Sequence, residues 1–210
     1  VSGNSISFGS VASITNNQCY NMSTAYDANA GKVVVAYTDG SDSNKGKARV
    51  ATVTGTSISF GTEVIFNGGN TIYISAVYDS SNQKVAITYR DSGNSNYGTA
   101  IVGTVSGTNI SFGSEAVFES ATVTYVRSVF DSTNNKIVIA YGDSGNSTHG
   151  TVIVGAISGT SISFNSPAVF QGTEIGYTGL AFISNGKSVV SYRNNGNNNY
   201  GTAAVLNSLT

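Results

Sequence analysis

Three features of this 210-residue chain predict an all-β fold built from four copies of one unit. A set of positions recurs every 52 residues, runs of β-branched and aromatic residues fill each copy, and clusters of Gly, Asn, Asp and Ser separate the runs. Such runs between turn-forming residues are typical of strands joined by hairpins. Because no segment has a sustained 3.6-residue period, the sequence predicts a repeat protein made of antiparallel strands.

The repeat is clearest in a short motif with a fixed phenylalanine. The motif is SISFG or a shortened form of it, at residues 5–9, 57–61, 110–113 and 161–164. A tyrosine column keeps the same register, with one residue lost in the last copy: Tyr37, Tyr89, Tyr141 and Tyr192. Because no linker separates the copies, we expect one domain over 1–210, with repeats 1–52, 53–104, 105–156 and 157–210.

Each copy supplies four predicted strands, which makes sixteen in the chain. In the second copy, strand A lies at 72–78, strand B at 84–89 and strand C at 99–105. Strand D begins with the SISF motif, at 57–66 in the second copy. A cluster of Gly, Asn, Asp or Ser follows each run, as hairpin connections require.

The strands are apolar on both faces. The runs Val33–Tyr37 and Ile137–Tyr141 do not alternate as a strand with one wet face would. Antiparallel strands buried on both sides require sheets stacked face to face. Stacked four-stranded units of about 50 residues are typical of β-propeller blades, whereas a β-trefoil needs three shorter copies and a sandwich needs no four-fold repeat. The predicted fold class is therefore a four-bladed β-propeller.

The order of the strands predicts how the ring closes. The chain begins with a D strand, Ser5–Val11, and its last C strand, Thr202–Val205, has no D strand after it. Pairing these two strands joins the first and last blades and removes an exposed edge. A monomeric ring is the simplest closure, and a dimer that exchanges strands is the alternative.

Comparison of the copies predicts where a ligand binds. Antiparallel order puts the A–B and C–D turns on one rim, and the B–C loops and D–A connections on the other. The first rim is nearly constant, whereas the D–A connections differ throughout: 15–20, 67–72, 119–124 and 171–176. The varied rim is therefore the predicted binding surface.

Seven residues are candidates for binding. Four form one column on the varied rim, two end B strands, and one lies in an A strand: Lys45, Tyr97, His149, Tyr200, Arg90, Arg193 and Arg127. The alternative for the tyrosines is that they cover hairpin turns, and for His149 that it is a surface residue. Arg127 is expected either to point into the central channel or to make a structural contact.

The B–C loops allow two interpretations. They lie at 39–46, 91–98, 143–150 and 194–201, and three of them begin with Asp. Calcium prefers such oxygen-rich loops, but only the first has a second carboxylate, Asp42. Since Asx turns use the same residue types, we predict hairpin turns and no cofactor, with calcium as the alternative.

Composition argues against several function classes. Only 10% of residues are charged, the net charge is −1 and no Lys/Arg cluster is present, which argues against a nucleic-acid partner. No apolar run approaches the roughly 18 residues of a membrane span, and no signal-like segment opens the sequence given. Cys19 is the only cysteine, so an internal disulfide is impossible.

The acidic residues argue against an enzyme. Of eleven Asp and Glu residues, only Asp42, Glu119 and Glu174 are private to one copy. A catalytic pair needs two acids in different environments, which repeated turn positions do not supply. No hydrolase, metalloprotease, P-loop or dinucleotide motif is present. We predict no enzymatic activity, with a glycoside-hydrolase-like propeller as an alternative.

The varied rim favours a recognition module. Tyr, Asn, Ser and Gly surfaces suit sugars, and four similar pockets would strengthen weak binding through multivalency. The predicted function is lectin-like binding of surface glycans, with a structural or protein-interaction propeller as the alternative.

Three linked motifs carry a resemblance. These are Asp-Ser-Ser/Thr-Asn-x-Lys, Tyr-x-Asp-Ser-Gly-Asn-Ser-x-x-Gly-Thr and Ser-Gly-Thr-x-Ile-Ser-Phe-Gly. The pattern resembles repeats of phage and viral structural (tail-type) proteins and of some bacterial surface proteins, over the whole chain. The resemblance implies a β-propeller on a virion or cell surface, with a glycan or protein on a cell surface as partner, and it implies no catalytic residues.

Overall fold

The structure is a computed structural model that describes Gly3 and residues 5–207, and these residues adopt an all-β fold. Within them lie fifteen strands: β1 (Cys19–Asp27), β2 (Lys32–Asp39), β3 (Lys45–Thr54), β4 (Ser57–Phe60), β5 (Val64–Asp79), β6 (Lys84–Asp91), β7 (Tyr97–Ser106), β8 (Asn109–Phe112), β9 (Ala116–Asp131), β10 (Lys136–Asp143), β11 (His149–Ser158), β12 (Ser161–Phe164), β13 (Ala168–Ser184), β14 (Lys187–Asn194) and β15 (Tyr200–Asn207). A short 3-10 helix, Ser144–Asn146, separates β10 from β11. In this part of the chain no helix has the length and apolar character needed to cross a membrane.

The strands form one open antiparallel sheet that repeats a meander four times. We number the meanders 1 (β1–β4), 2 (β5–β8), 3 (β9–β12) and 4 (β13–β15). The long strands β5, β9 and β13 connect them, because the first part of each pairs with the preceding meander and the second part with its own. In β5, for example, Val64 pairs with Ala48 of β3, whereas Thr71 pairs with Asp91 of β6.

Aspartates close the turns between the A and B strands. Oδ1 of Asp79 accepts the backbone N–H groups of Ser81 at 2.8 Å and Asn82 at 3.0 Å. Asp27 and Asp131 accept the equivalent N–H groups in meanders 1 and 3. These Asx turns place the second strand directly against the first.

The hydrophobic core lies between successive meanders. In the first junction, Val34 and Ala36 of β2 belong to the same buried cluster as Ile87 and Tyr89 of β6. Equivalent clusters join meanders 2 to 3 and 3 to 4. The tyrosine column is buried, as predicted, with no residue more than 5% exposed: Tyr37, Tyr89, Tyr141 and Tyr192.

The predicted closure of the ring is wrong for the described chain. Residues 6–12 form no strand, Phe8 is 89% exposed, and β15 pairs with β14 alone, leaving Val205 65% exposed. The N-terminal segment lies instead on meander 1, where Ile14 packs on the apolar face and Arg49 donates a hydrogen bond to the Ile14 carbonyl. Among the described residues, no strand pairing joins the two ends of the strand path, β1 and β15. Fifteen strands therefore replace the sixteen expected.

Candidate functional site

The B–C loops and D–A connections form one belt along an edge of the sheet. The N–H of Thr71 donates to the Asn44 carbonyl in the preceding loop at 3.0 Å, and the N–H of Ser92 in the following loop donates to the Asn70 carbonyl at 2.8 Å. Equivalent backbone bonds continue along the belt, joining Val123 to Asn96, Ile175 to Thr148 and Asn195 to Glu174. These loops therefore share a rim, as the antiparallel order predicted.

The aspartates at the start of the B–C loops act as turn caps. Oδ1 of Asp39, Asp91 and Asp143 each accepts the N–H of the residue two positions further on, at 2.9 Å. These bonds are the predicted Asx turns. Over residues 5–207 and Gly3, no three or more His, Cys, Asp or Glu side chains are grouped so that they could hold a metal ion.

The predicted rim column begins the strand after each B–C loop. Lys45 forms an ion pair with Asp42 at 2.8 Å, Tyr97 and His149 are half-buried, and Tyr200 is 58% exposed. Each residue belongs to a different meander, and three of them lie opposite the D–A connection that follows: Lys45 opposite Asn70, Tyr97 opposite Thr122 and His149 opposite Glu174. Among the described residues no D–A connection lies beside Tyr200, because β15 pairs only with β14. The column is therefore a row along the belt.

A second row of side chains lies near the start of the A strands. The ring centroids of Tyr73 and Tyr125 are 5.3 Å apart, and those of Tyr125 and Tyr177 are 5.2 Å apart. We call these three residues the tyrosine ladder. Asn21 occupies the fourth position of the column, and its Oδ1 accepts the N–H of Tyr73 at 3.3 Å. The ladder is thus built by equivalent residues of meanders 2, 3 and 4.

The ladder presents unused hydroxyl groups. Tyr177 is 69% exposed, and Tyr73 and Tyr125 are half-buried. Burial, followed by the neighbouring tyrosines, raises the pKa of Tyr125, so that its hydroxyl is a hydrogen-bond donor at neutral pH. Within the described residues, none of the three phenol oxygens has a hydrogen-bond partner.

The backbone is strained at the ladder. Tyr73, Tyr125 and Tyr177 have φ values of 57°, 53° and 50°, in the left-handed region. A β-bulge interrupts the strand pairing at each tyrosine and re-aims its side chain. A left-handed conformation costs a non-glycine residue about 1–2 kcal/mol, and such strain is concentrated at functional sites. Asn21, at the fourth position of the column, has a φ of 47° and lies in an equivalent bulge, so the strained conformation recurs in all four copies. The three copies that carry a tyrosine there form the ladder, which is therefore a candidate site.

Two predicted binding residues lie on the ladder. The guanidinium carbon of Arg90 lies 5.0 Å from the ring centroid of Tyr73, and that of Arg193 lies 4.9 Å from the ring centroid of Tyr177. Arg193 Nε donates to Asn195 Oδ1 at 2.8 Å, whereas Arg90 Nε is buried without a hydrogen-bond partner. These arginines therefore stack on the tyrosine ladder.

Arg127 lies at a cavity next to the ladder. Its side chain is exposed and lines a cavity of about 240 Å³ together with Asn21, Tyr73 and Ser75. Its Nη1 also donates to the neighbouring Val126 carbonyl at 2.7 Å. The cavity lies beside the ladder, at the position where Asn21 stands in place of a fourth tyrosine.

A buried ionic cluster supports the belt in meander 1. Lys47 Nζ contacts carboxylate oxygens of Asp39 and Glu63 at 2.8 Å and of Asp42 at 3.0 Å. Burial, the largest single effect, would raise the pKa of Asp39 and of Glu63. The hydrogen bonds and charge of Lys47, together with the other hydrogen bonds that each carboxylate accepts, outweigh it and hold both pKa values below the ordinary range. Burial acts to lower the pKa of Lys47, and the three carboxylates raise it overall.

The surroundings of Glu119 in meander 3 disfavour its ionised form. Its carboxylate accepts a hydrogen bond from the Tyr141 hydroxyl at 3.1 Å. Burial, and then the charge of Asp143, raise the pKa of Glu119. In meander 4, Gln171 accepts the equivalent bond from Tyr192 at 3.0 Å without a charge. The carboxylate of Glu119 is therefore replaceable by an amide in this role.

Comparisons with known proteins give no relative: no family model matches the chain, and no curated protein matches it.

Sequence reasoning missed the ladder and the Lys47 cluster. The ladder was visible as a column of tyrosines at a step of 52 residues. The exposure of the tyrosine rings could not be predicted from the sequence. The alternation of residues along a strand shows which face of the sheet a side chain lies on only where no β-bulge interrupts the strand. Lys47 stands where the other copies have threonine, and this private charge was the available signal.

Proposed function

We propose that this protein is a non-enzymatic recognition module that binds glycans along the tyrosine ladder and the adjoining belt. The observation that carries the proposal is the row of three tyrosines held in a strained backbone, with hydroxyl groups that no described residue engages. Aromatic rings pack on the C–H faces of sugars, and free hydroxyl groups match sugar hydroxyls.

The spacing of the ladder supports an extended ligand. Three equivalent rings lie one after another at 5.3 and 5.2 Å, so one chain of sugars has several similar contacts within its reach. Contacts of this kind add through effective concentration even where each is weak. The belt supplies side chains that differ between meanders, such as Tyr97 and His149, and these are the proposed source of specificity.

We further propose that the four meanders are blades of a β-propeller, with the A strands innermost. Neighbouring A strands contact one another directly, since Ser23 Oγ accepts the N–H of Ala76 at 2.9 Å and Ser75 Oγ accepts the N–H of Ser128 at 3.0 Å. Equivalent junctions repeated around an axis are the construction rule of a propeller. The ladder then lines the inner surface near one rim.

The second candidate function is assembly with other protein surfaces. Apolar side chains remain exposed at both ends of the strand path, including Met22 at 59% in β1 and Val205 at 65% in β15. An uncovered edge strand is a template for pairing with another chain. A place on a virion or cell surface, with a glycan or protein partner, fits either function.

A glycan array tests the proposed function. We expect the folded protein to bind a restricted set of glycans, and the Tyr177→Ala variant to lose that signal. Tyr26→Ala is the matched control, because Tyr26 is 60% exposed and lies one residue before the A–B turn, away from the ladder. A blank array from folded protein, or equal loss in both variants, would contradict the proposal.

A further inference from the structure

The arginines of this chain are concentrated on the tyrosine ladder. The chain has four arginines, and Arg49 is held by the Ile14 carbonyl. The other three lie on or beside the ladder, Arg90 and Arg193 against the outer rings and Arg127 in the adjoining cavity. Only 10% of all residues are charged, so this local density of positive charge stands out.

Within the described residues, none of these three guanidinium groups forms an ion pair. Lys45 and Lys47 pair with carboxylates of their own loop and its neighbours, but in the described part of the chain no ion pair involves Arg90, Arg127 or Arg193. Stacking on tyrosine fixes the plane of the guanidinium and leaves N–H groups free. Arg90 in particular has a buried Nε without a partner.

The ladder offers hydrogen-bond donors beside positive charge. Its guanidinium groups can only donate, and its neutral phenol hydroxyls can donate as well as accept. The charge of Arg193 has a larger effect on the pKa of Tyr125 than the opposing charge of Glu174. Donors beside excess positive charge are complementary to an anion that only accepts, such as a carboxylate or a sulfate.

We infer that the ladder selects acidic glycans, whose sugars carry a carboxylate or a sulfate. The anionic group binds the guanidinium of Arg90 or Arg193, and the sugar ring lies along the tyrosines. This inference rests on the proposed glycan function and specifies its substrate class.

Matched glycan pairs test the inference. The probes are sialylated and asialo oligosaccharides, oligogalacturonate and its methyl ester, and a sulfated oligosaccharide and its desulfated form. We expect binding to at least one acidic member and at least tenfold weaker binding to its neutral partner, because the neutral sugar offers no anionic acceptor for a charge-assisted hydrogen bond. Arg193→Gln and Arg90→Gln are expected to reduce the preference, and Lys187→Gln, an exposed cation beside the A–B turn of meander 4, to leave it unchanged.

The outcomes separate this inference from the proposed function. Equal binding of acidic and neutral members, with loss in Tyr177→Ala, would overturn the acidic selectivity and leave the glycan function standing. No binding of any probe or array glycan by folded protein would overturn both. A preference that survives both arginine substitutions would also contradict the inference.

Discussion

Two glutamates with similar contacts are expected to respond oppositely to neutralisation. Glu119 has a raised pKa, so its ionised form costs stability above that pKa, and the cost disappears as the pH falls below it. Glu119→Gln keeps an acceptor for Tyr141, as Gln171 does for Tyr192. We expect this variant to be more stable at pH 7 by less than about 1 kcal/mol, with no gain at pH 3.5. Urea denaturation at both pH values measures the difference.

Glu63→Gln is the control for that prediction. The pKa of Glu63 is lowered, so its carboxylate stabilises the fold above the unfolded pKa, and this contribution is lost as the pH falls through the folded pKa. The variant should therefore be less stable at pH 7 and approach the parent at low pH. The same sign of change in both variants would show that the charge environments are assigned wrongly.

Lys47 is expected to be the most sensitive charged residue. Its removal leaves Asp39, which is fully buried, without its cation. Breaking a buried pair from one side costs about 3–5 kcal/mol. We expect Lys47→Met to lose about 3 kcal/mol of unfolding free energy and exposed Lys187→Met to change by under about 0.5 kcal/mol. Similar denaturation midpoints for the two variants would contradict this role.

At the residue scale, the sequence predicted where residues lie in the fold better than it predicted which residues they contact. The buried tyrosine column followed from its apolar surroundings, and the Asx turns followed from Asp before Gly or Ser. The tyrosine ladder and the Lys47 cluster depend on contacts between strands and loops that are separate in the sequence. The residue pattern of one strand does not predict such contacts. Arg90 and Arg193 were predicted to lie on the rim. Their stacking on Tyr73 and Tyr177 could not be predicted, because it depends on the β-bulges that position these two tyrosines.

The connections between meanders depend on a glycine at the end of the D motif, which three of the four copies have and which Asn165 replaces in the last. A Cβ built on Gly61 would overlap the Thr108 carbonyl in the next meander, and Gly113 has the same relation to Thr160. We expect Gly61→Ala to cost about 2 kcal/mol, because the backbone carbonyl it meets is not free to move aside.

Gly68→Ala is the matched control for Gly61→Ala. A Cβ on Gly68 meets nothing within 4 Å and its φ is not positive, so this variant should be neutral or stabilised by about 0.5 kcal/mol. Thermal unfolding compares the two. Equal stability would mean that the close approach at Gly61 does not hold the meanders together.

The N-terminal D motif makes only one of the two contacts that the D motifs of the second and third copies make. Gly9 meets Thr56 in the same way that Gly61 meets Thr108, but the motif has no C strand beside it. The contact of Gly9 therefore follows the repeat, whereas the predicted pairing with the last C strand is wrong for the described residues.

Within the part of the chain that the structure describes, β15 is an uncovered strand at the end of the sheet. In β15, Val205 is 65% exposed, whereas its equivalent in β7, Val102, is fully buried against meander 3. A lysine on an edge strand opposes pairing with another chain. We expect Val205→Lys to remain folded and to reduce concentration-dependent self-association of this chain, measured by sedimentation velocity. Val53→Lys, exposed at 58% in β3, is the control and should have no such effect.

The recognition account depends on which tyrosines contact the ligand. The chain has twelve tyrosines and no tryptophan, so selective ¹³C labelling of tyrosine rings gives a small set of NMR signals. The measurement is a titration of the labelled protein with the strongest glycan from the array. The account predicts shifts in Tyr73, Tyr125 and Tyr177, with Tyr26 unchanged. Shifts confined to the rim tyrosines Tyr97 and Tyr200, with an unperturbed ladder, would contradict it.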